Sequence, residues 1–107
     1  MKPIVRSISS DLYDMDVFTP EDKSCFCLNL LIRIGMSDSS GSDNFEVLVC
    51  TAGWVSKHVW EPTWGRHMII VRSFDFHEIC EIIRCKVDSC EGIDWQEIAT
   101  KISRFLA

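Results

Sequence analysis

Six cysteines have the widest chemical range in this sequence, since thiols form disulfides, bind zinc or act as nucleophiles. One residue separates Cys25 from Cys27, which is tighter than the spacing in common zinc motifs. On a helix, Cys80 and Cys85 would point about 140° apart, so one helix could not direct both at one ion. Because no export signal is visible either, we expect reduced and mostly buried thiols, with no disulfide framework and no metal site.

The histidines His58, His67 and His77 and the thiol of Cys50 are the other candidates for acid–base or nucleophilic catalysis. No HExxH or similar metal-binding spacing links the histidines. His67 alternates with apolar residues of a predicted strand, which favours a hydrogen-bonded structural role. A nucleophilic Cys50 would need a partner base that the sequence does not locate, so we expect its thiol to be buried.

The sequence contains no paired-carboxylate motif and no glycine-rich phosphate-binding loop. Eleven basic residues against 16 acidic ones give a net charge of −5. Nucleic-acid binding needs a basic face, and here the basic residues do not cluster with aromatic ones. We therefore predict a protein that is not an enzyme, uses no cofactor and does not bind nucleic acid, but is a reasonable partner for a basic protein.

Acidic and aromatic residues concentrate in two segments. Residues 10–23 (the acidic loop) hold five acids interleaved with five apolar or aromatic residues, and residues 54–64 hold three of the four tryptophans. We expect the acidic loop to be ordered on the body with its acids facing out. Tryptophan and tyrosine dominate binding hot spots. The predicted protein-binding residues are Asp11, Tyr13, Asp14, Asp16, Glu21, Asp22, Trp54, Trp60, Glu61 and Trp64.

Alternating hydrophobic residues predict the strands that must position these segments. The predicted strands cover residues 4–9, 25–36, 44–51 and 66–74. In the second strand, one face consists of Phe26, Leu28, Leu30, Ile32 and Ile34. The first strand should place Ile4, Arg6 and Ile8 on one face. A polar turn over residues 37–43 should join the second and third strands into a hairpin.

Helical signals follow the strands. Residues 54–60 predict a short helix, and capping boxes starting at Asp75 and Asp94 predict two longer helices. The order indicates an α+β fold, in which a mainly antiparallel sheet of about four strands carries two C-terminal helices packed on one face. The length of 107 residues predicts one domain over residues 1–107.

No apolar stretch reaches the roughly 20 residues that a membrane span requires. The first residues do not continue into the apolar core of a signal peptide. We therefore expect an unprocessed cytoplasmic protein that contacts no membrane.

Several short motifs, taken in order, resemble one known family. They are Ser9-Ser10-Asp11-Leu12-Tyr13-Asp14, Pro20-Glu21-Asp22, residues 45–51, Trp54, Gly65-Arg66-His67, Ile69-Ile70-Val71, Cys90-Glu91-Gly92, Trp95, Glu97 and Ser103-Arg104. Together they resemble the immunity protein 8 family of bacterial polymorphic toxin and contact-dependent growth inhibition systems, over nearly the whole chain. Ala52-Gly53 departs from this pattern, since we would expect a proline before Trp54.

The resemblance implies a small α+β protein that binds the C-terminal domain of a cognate toxin in the cytoplasm and blocks it. It names no catalytic residue and does not identify the toxin's activity. Because many toxin domains are nucleases with basic sites, an acidic inhibitor suggests a nuclease partner, bound stoichiometrically by a monomer. Two alternatives remain: a non-catalytic interaction adaptor unrelated to toxins, or an enzyme or small-ligand domain that uses Cys50, His67 or a metal.

Overall fold

The computed structural model describes all 107 residues. Four strands and three helices follow one another in the predicted order. They are β1 (Pro3–Ser9), β2 (Cys27–Met36), β3 (Asp43–Thr51), α1 (Ala52–His58), β4 (Met68–Val71), α2 (Phe76–Asp88) and α3 (Trp95–Ile102). The fold is therefore α+β, as predicted. The fourth strand is much shorter than the predicted residues 66–74, because the chain turns on both sides of it.

The strands form one sheet in the order β1-β2-β3-β4. β1 pairs antiparallel with β2, and the acidic loop connects them. β2 pairs antiparallel with β3, and a short turn over residues 37–42 connects them. β4 is parallel to β3, because α1 and residues 59–67 carry the chain back along the sheet before β4 begins. The sheet is thus mainly antiparallel, as predicted, with one parallel pair at its edge.

The hydrophobic core lies between one face of this sheet and the helices α2 and α3. Seventeen buried residues form one cluster. The strands and the residue before β2 contribute Phe26, Leu28, Leu30, Ile32, Ile34, Met36, Phe45, Val47, Val49 and Val71, and the helices and their ends contribute Ile79, Ile83, Val87, Cys90, Ile98, Ile102 and Leu106. Every second residue of β2 is buried, which confirms the predicted face of that strand.

Both predicted capping boxes begin helices. The Asp75 carboxylate accepts a hydrogen bond from the backbone N–H of Glu78 (3.2 Å), and the Asp94 carboxylate accepts one from that of Glu97 (2.9 Å). The Glu97 side chain also accepts from the N–H of Ile93 (3.0 Å). Each cap therefore sets where its helix starts. No helix has both the length and the apolarity to cross a bilayer.

The predicted face of β1 is wrong. The pairing of β1 with β2 shifts between Val5 and Ser7, so a bulge at Arg6 interrupts the alternation. Val5 and Ile8 both pack against the core, whereas Ile4 is 42% exposed. Arg6 turns outward, and its guanidinium donates hydrogen bonds to the carbonyl oxygens of Met36 (2.7 Å) and of the β2–β3 turn. A period of two cannot reveal such a bulge, because one extra residue reverses the faces after it.

Candidate functional site

The acidic loop joins β1 to β2. Its five carboxylate side chains are all exposed, as predicted; they are Asp11, Asp14, Asp16, Glu21 and Asp22. Met15 and Phe18 are half-buried and pack against the core. A local turn supports them, in which the backbone carbonyl of Asp14 accepts from the N–H of Phe18 (2.9 Å). The loop is thus ordered on the body, with its charges directed outward.

Aromatic rings attach the acidic loop to the core. The ring of Phe18 lies 4.2 Å from that of Tyr13 and meets the edge of Phe74 at 5.7 Å. Phe74 in turn packs edge-on against Phe26 at 5.3 Å, and its backbone N–H donates to the carbonyl of Lys23 (2.8 Å). Such ring contacts are each worth about 0.5–1.5 kcal/mol beyond the area they bury. The loop is therefore held from both sides, by β2 and by the segment after β4.

Three apolar side chains of the acidic loop point to solvent. Leu12 is 81% exposed, Val17 is 78% exposed and Tyr13 is 45% exposed. The sequence predicted that all five apolar or aromatic residues would help the loop lie on the body. Only Met15 and Phe18 pack against the core. Apolar side chains beside carboxylates combine two properties of a docking surface. Burial of the apolar area against a partner is favourable in free energy, and the charges select the partner.

Asp22 closes the acidic loop. Its carboxylate accepts hydrogen bonds from the hydroxyl (2.7 Å) and the backbone N–H (2.9 Å) of Ser24. These bonds, and more weakly the charge of Lys57, lower the pKa of the Asp22 carboxyl below its usual value. Lys57 belongs to α1 and forms no ion pair with Asp22, so it acts on this carboxyl only through its charge.

α1 begins directly at the end of β3. The buried hydroxyl of Thr51 accepts from the N–H of Trp54 (3.2 Å) and so caps the helix. Trp54 is half-buried, and its ring stacks on that of His58 at 4.7 Å. At Gly53, an added Cβ would stand 2.9 Å from the carbonyl oxygen of Ser24, which shows how closely the two segments approach. The structure therefore places Gly53, next to Trp54, against Ser24, the residue that follows the acidic loop.

The other predicted residues of the tryptophan segment lie between α1 and β4. Trp60 is 85% exposed and Trp64 is 94% exposed, and Glu61 is exposed between them. No hydrogen bond or ring contact joins either indole to the acidic loop. By contrast, the indole N–H of Trp95 donates to the Asp43 carboxylate (2.7 Å). Two of the four tryptophans thus stand in water, where large apolar groups are costly unless a partner covers them.

The histidines have structural surroundings. The Nε2 atom of His67 lies 3.2 Å from the carbonyl of Ser103, so it carries the proton and donates. His67 also has a φ of 56°, a left-handed conformation that turns the chain into β4. The Nδ1 of His58 donates in the same way to the carbonyl of Trp54 (3.1 Å), and His77 is exposed on α2. The hydrogen-bonded role predicted for His67 is confirmed.

All six cysteines are free, and their burial differs. Cys50, Cys80 and Cys90 are buried, whereas Cys85 is exposed, so the expectation of burial is wrong for that thiol. Burial raises the pKa of the Cys50 and Cys80 thiols, which keeps both protonated and poorly nucleophilic at neutral pH. No three His, Cys, Asp or Glu side chains converge closely enough to hold a metal ion.

The model of the immunity protein 8 family matches residues 4–107. This chain belongs to the immunity protein 8 family. Comparison with curated proteins and with solved structures finds no match. Membership in the immunity protein 8 family implies an immunity protein, which protects against a toxin and acts by binding it. The exposed acidic loop and the exposed tryptophans are therefore the candidate surface for binding the toxin.

Three contributors to this surface were not predicted. Ser24 and Lys57 lower the pKa of the Asp22 carboxyl, and Phe74 anchors the loop. The backbone bond from Ser24 was detectable, because in an Asx turn the aspartate accepts from the N–H two residues on. The charge effect of Lys57 and the ring contact of Phe74 join distant parts of the chain, so no local pattern signals them.

Proposed function

We propose that this protein neutralises the C-terminal domain of a cognate toxin by binding it stoichiometrically in the cytoplasm, without catalysis. The observation that carries the proposal is the acidic loop, which is anchored by Phe18 and Phe74 while its carboxylates and Leu12 and Val17 face solvent. A rigid loop loses little conformational entropy on binding, so its exposed groups contribute more of their interaction energy to affinity.

The toxin domain has a basic surface, and a nuclease is the activity that best fits one. Phosphate-binding sites are basic, and the inhibitor carries a net charge of −5 with five acids in one loop. Complementary charge of this kind accelerates association, to rates of about 10⁸–10⁹ M⁻¹s⁻¹ at low salt. The acidic loop therefore covers or adjoins the toxin's substrate site.

The surface available is large enough for such a complex. The folded chain exposes 7012 Å². A standard interface buries about 800 Å² on each partner, or about a ninth of that surface. We assign Trp60 and Trp64 to the apolar part of the interface and the acidic loop to its charged part.

Growth rescue tests the proposal first. The toxin domain encoded beside this protein is induced in a bacterial host, with and without the protein. We expect rescue and a complex of equal subunit numbers on copurification. Persistent toxicity, with the protein folded and no complex formed, would contradict the proposal and favour an adaptor unrelated to toxins.

Charge neutralisation then tests the role of the acidic loop. Asp11 and Asp16 are suitable because their carboxylates accept no hydrogen bond within the protein, so Asn at both positions leaves the loop intact. We expect this double variant to associate with the toxin about three- to tenfold more slowly at low salt and to lose much of its salt dependence. The control is Glu81→Gln with Asp88→Asn, which removes the same charge from exposed positions of α2. Equal slowing by both pairs would contradict a local role of the loop.

A further inference from the structure

β4 is an edge strand with unpaired backbone groups. Its parallel register pairs Ile69 with Val49, and the N–H of Leu48 donates to the carbonyl of His67 (3.1 Å). In this pattern the N–H and C=O of Ile69 face β3, so those of Ile70 point away from the sheet. The Ile70 side chain is 62% exposed. Such an edge is a template for an additional strand.

An open apolar groove of about 600 Å³ lies along β4 on its helix side. It is lined mainly by Met68, Ile69, Ile82, Ile83, Phe105 and Leu106. Ile82 is 44% exposed at this position, although it lies on the same helix as the buried Ile83. A strand added to β4 would direct every second side chain toward this groove, because side chains alternate between the two faces of a sheet.

The edge is basic in an acidic protein. Arg66 and Arg72 flank β4, and Lys86 lines the groove. All three are exposed, and the two ion pairs of the structure, Lys2 with Glu91 and Lys101 with Glu97, involve none of them. Lys86 lies over the ring of Phe105, with its Nζ 5.5 Å from the ring centroid. Arg66 and Arg72 are therefore the charges available to a partner, and they are opposite in sign to the acidic loop.

We propose that an extended segment of the toxin, apolar in its centre and acidic at its ends, adds to β4 as a fifth strand. This inference rests on the proposed function and adds a second contact region to it. The backbone groups of Ile70 supply hydrogen bonds, the groove takes apolar side chains, and Arg66 and Arg72 pair with the terminal acids.

A second copy of this chain fits the edge less well. If β4 paired antiparallel with its copy so that Ile70 faced Met68, the flanking Arg72 of one copy would come near Arg66 of the other at both ends of the pair. Like charges directly opposite each other destabilise paired strands. In this register the arginines discourage pairing between copies, whereas a partner of opposite charge gains from them.

Hydrogen exchange on the complex with the toxin domain tests the inference directly. We expect the amides of Met68 and Ile70, which point away from β3, to exchange fast in the free protein and to be protected in the complex. If no complex forms at all, the proposed function fails. If a complex forms and these two amides still exchange fast, the immunity function stands and the strand addition is overturned.

Substitution of Ile70 separates backbone pairing from side-chain contact. Ile70→Pro removes the outward N–H without removing a bond to β3, and proline is tolerated on edge strands. We expect it to weaken toxin binding by about tenfold or more, because a carbonyl of the partner loses its donor. The matched control, Ile70→Thr, keeps the N–H and should weaken binding much less. Equal effects of Pro and Thr would overturn the proposal.

Charge reversal provides a second route that does not alter the backbone. Arg66→Glu combined with Arg72→Glu should weaken toxin binding by about tenfold, since two opposite-charge pairs become like-charge pairs. Unchanged affinity in this variant would contradict the proposal that acidic residues of the toxin segment pair with Arg66 and Arg72. Sedimentation of the free protein decides the remaining alternative: a wild-type dimer that Ile70→Pro converts to monomer would assign the edge to a second copy and overturn the proposal.

Discussion

The Thr51 side chain connects a strand end to a helix start. Its buried hydroxyl accepts hydrogen bonds from the backbone N–H groups of Trp54 and Phe26, both at 3.2 Å. Thr51→Val keeps the shape but leaves α1 uncapped and the Phe26 N–H unpaired. We expect a loss of about 2–4 kcal/mol in the free energy of unfolding, measured by urea denaturation. Thr51→Ser keeps the acceptor and should lose clearly less. Equal losses would contradict the larger role assigned here to the hydroxyl, since each variant removes only one of the two groups on Cβ.

The carboxyl of Asp22 gives the acidic loop a defined pH dependence. Its folded-state pKa is lowered by the hydrogen bonds from Ser24, so the carboxylate stabilises the fold above its unfolded pKa. That stabilisation is lost as the pH falls through the folded-state pKa.

An NMR titration of the Asp22 carboxyl carbon measures this effect. We expect the wild-type midpoint to lie below that of an ordinary aspartate. Ser24→Ala should raise the midpoint part of the way, because the hydroxyl donor goes and the backbone N–H remains. Ser24→Thr keeps a hydroxyl and should titrate like the wild type. An unchanged midpoint in Ser24→Ala would assign the lowered pKa to another cause.

At the scale of elements, the sequence predicted correctly those strands and helices that a local residue pattern is enough to define. The alternation from Phe26 to Ile34 located β2, and the caps at Asp75 and Asp94 located two helices. The exposure of the acids in the loop followed from charge alone. These features need no knowledge of distant contacts.

The remaining features depend on which parts of the chain meet. The bulge at Arg6 is favoured by acceptors in the distant β2–β3 turn, and β4 is parallel because of the path through α1. Ala107 exchanges two backbone hydrogen bonds with Glu46, which extends the sheet beside the start of β4. Local periodicity contains no information on such pairings. The exposure of Leu12 and Val17 could not be predicted for the same reason, since only two of the five loop positions find a neighbour in the core.

The β2–β3 hairpin depends on a close approach at Gly35. A Cβ at this position would stand 2.2 Å from the carbonyl oxygen of Gly41 and 2.9 Å from the Nε of Arg6. We expect Gly35→Ala to lower the free energy of unfolding by about 1–3 kcal/mol, because the turn must move away. At Gly65 the nearest atom, the sulfur of Met68, would be 3.7 Å away, so Gly65→Ala is the control. Equal stability of the two variants in urea denaturation would contradict the steric argument.

At the scale of the whole molecule, a single cluster of 17 buried residues joins the sheet to both long helices. The chain also links its distant parts outside the core: the N–H of Gly92 donates to the carbonyl of Met1 (3.3 Å), and His67 is bonded to Ser103. We infer from these links that residues 1–107 unfold as one cooperative unit, so damage at one end should be felt throughout.

Leu106 is the residue with which to test this cooperativity, because it is 1% exposed and follows the last helix. Leu106→Ala should cost about 2–5 kcal/mol, whereas Ile93→Ala, at an 85% exposed position, should cost almost nothing. The decisive measurement is the unfolding of Leu106→Ala by far-ultraviolet circular dichroism and by tryptophan fluorescence in parallel. If the molecule is one unit, both transitions shift to the same lower midpoint. Trp95 begins α3 and the other three tryptophans precede β4, so fluorescence reports on both regions. Midpoints that differ between the two signals would therefore show that residues 1–107 do not unfold as one cooperative unit.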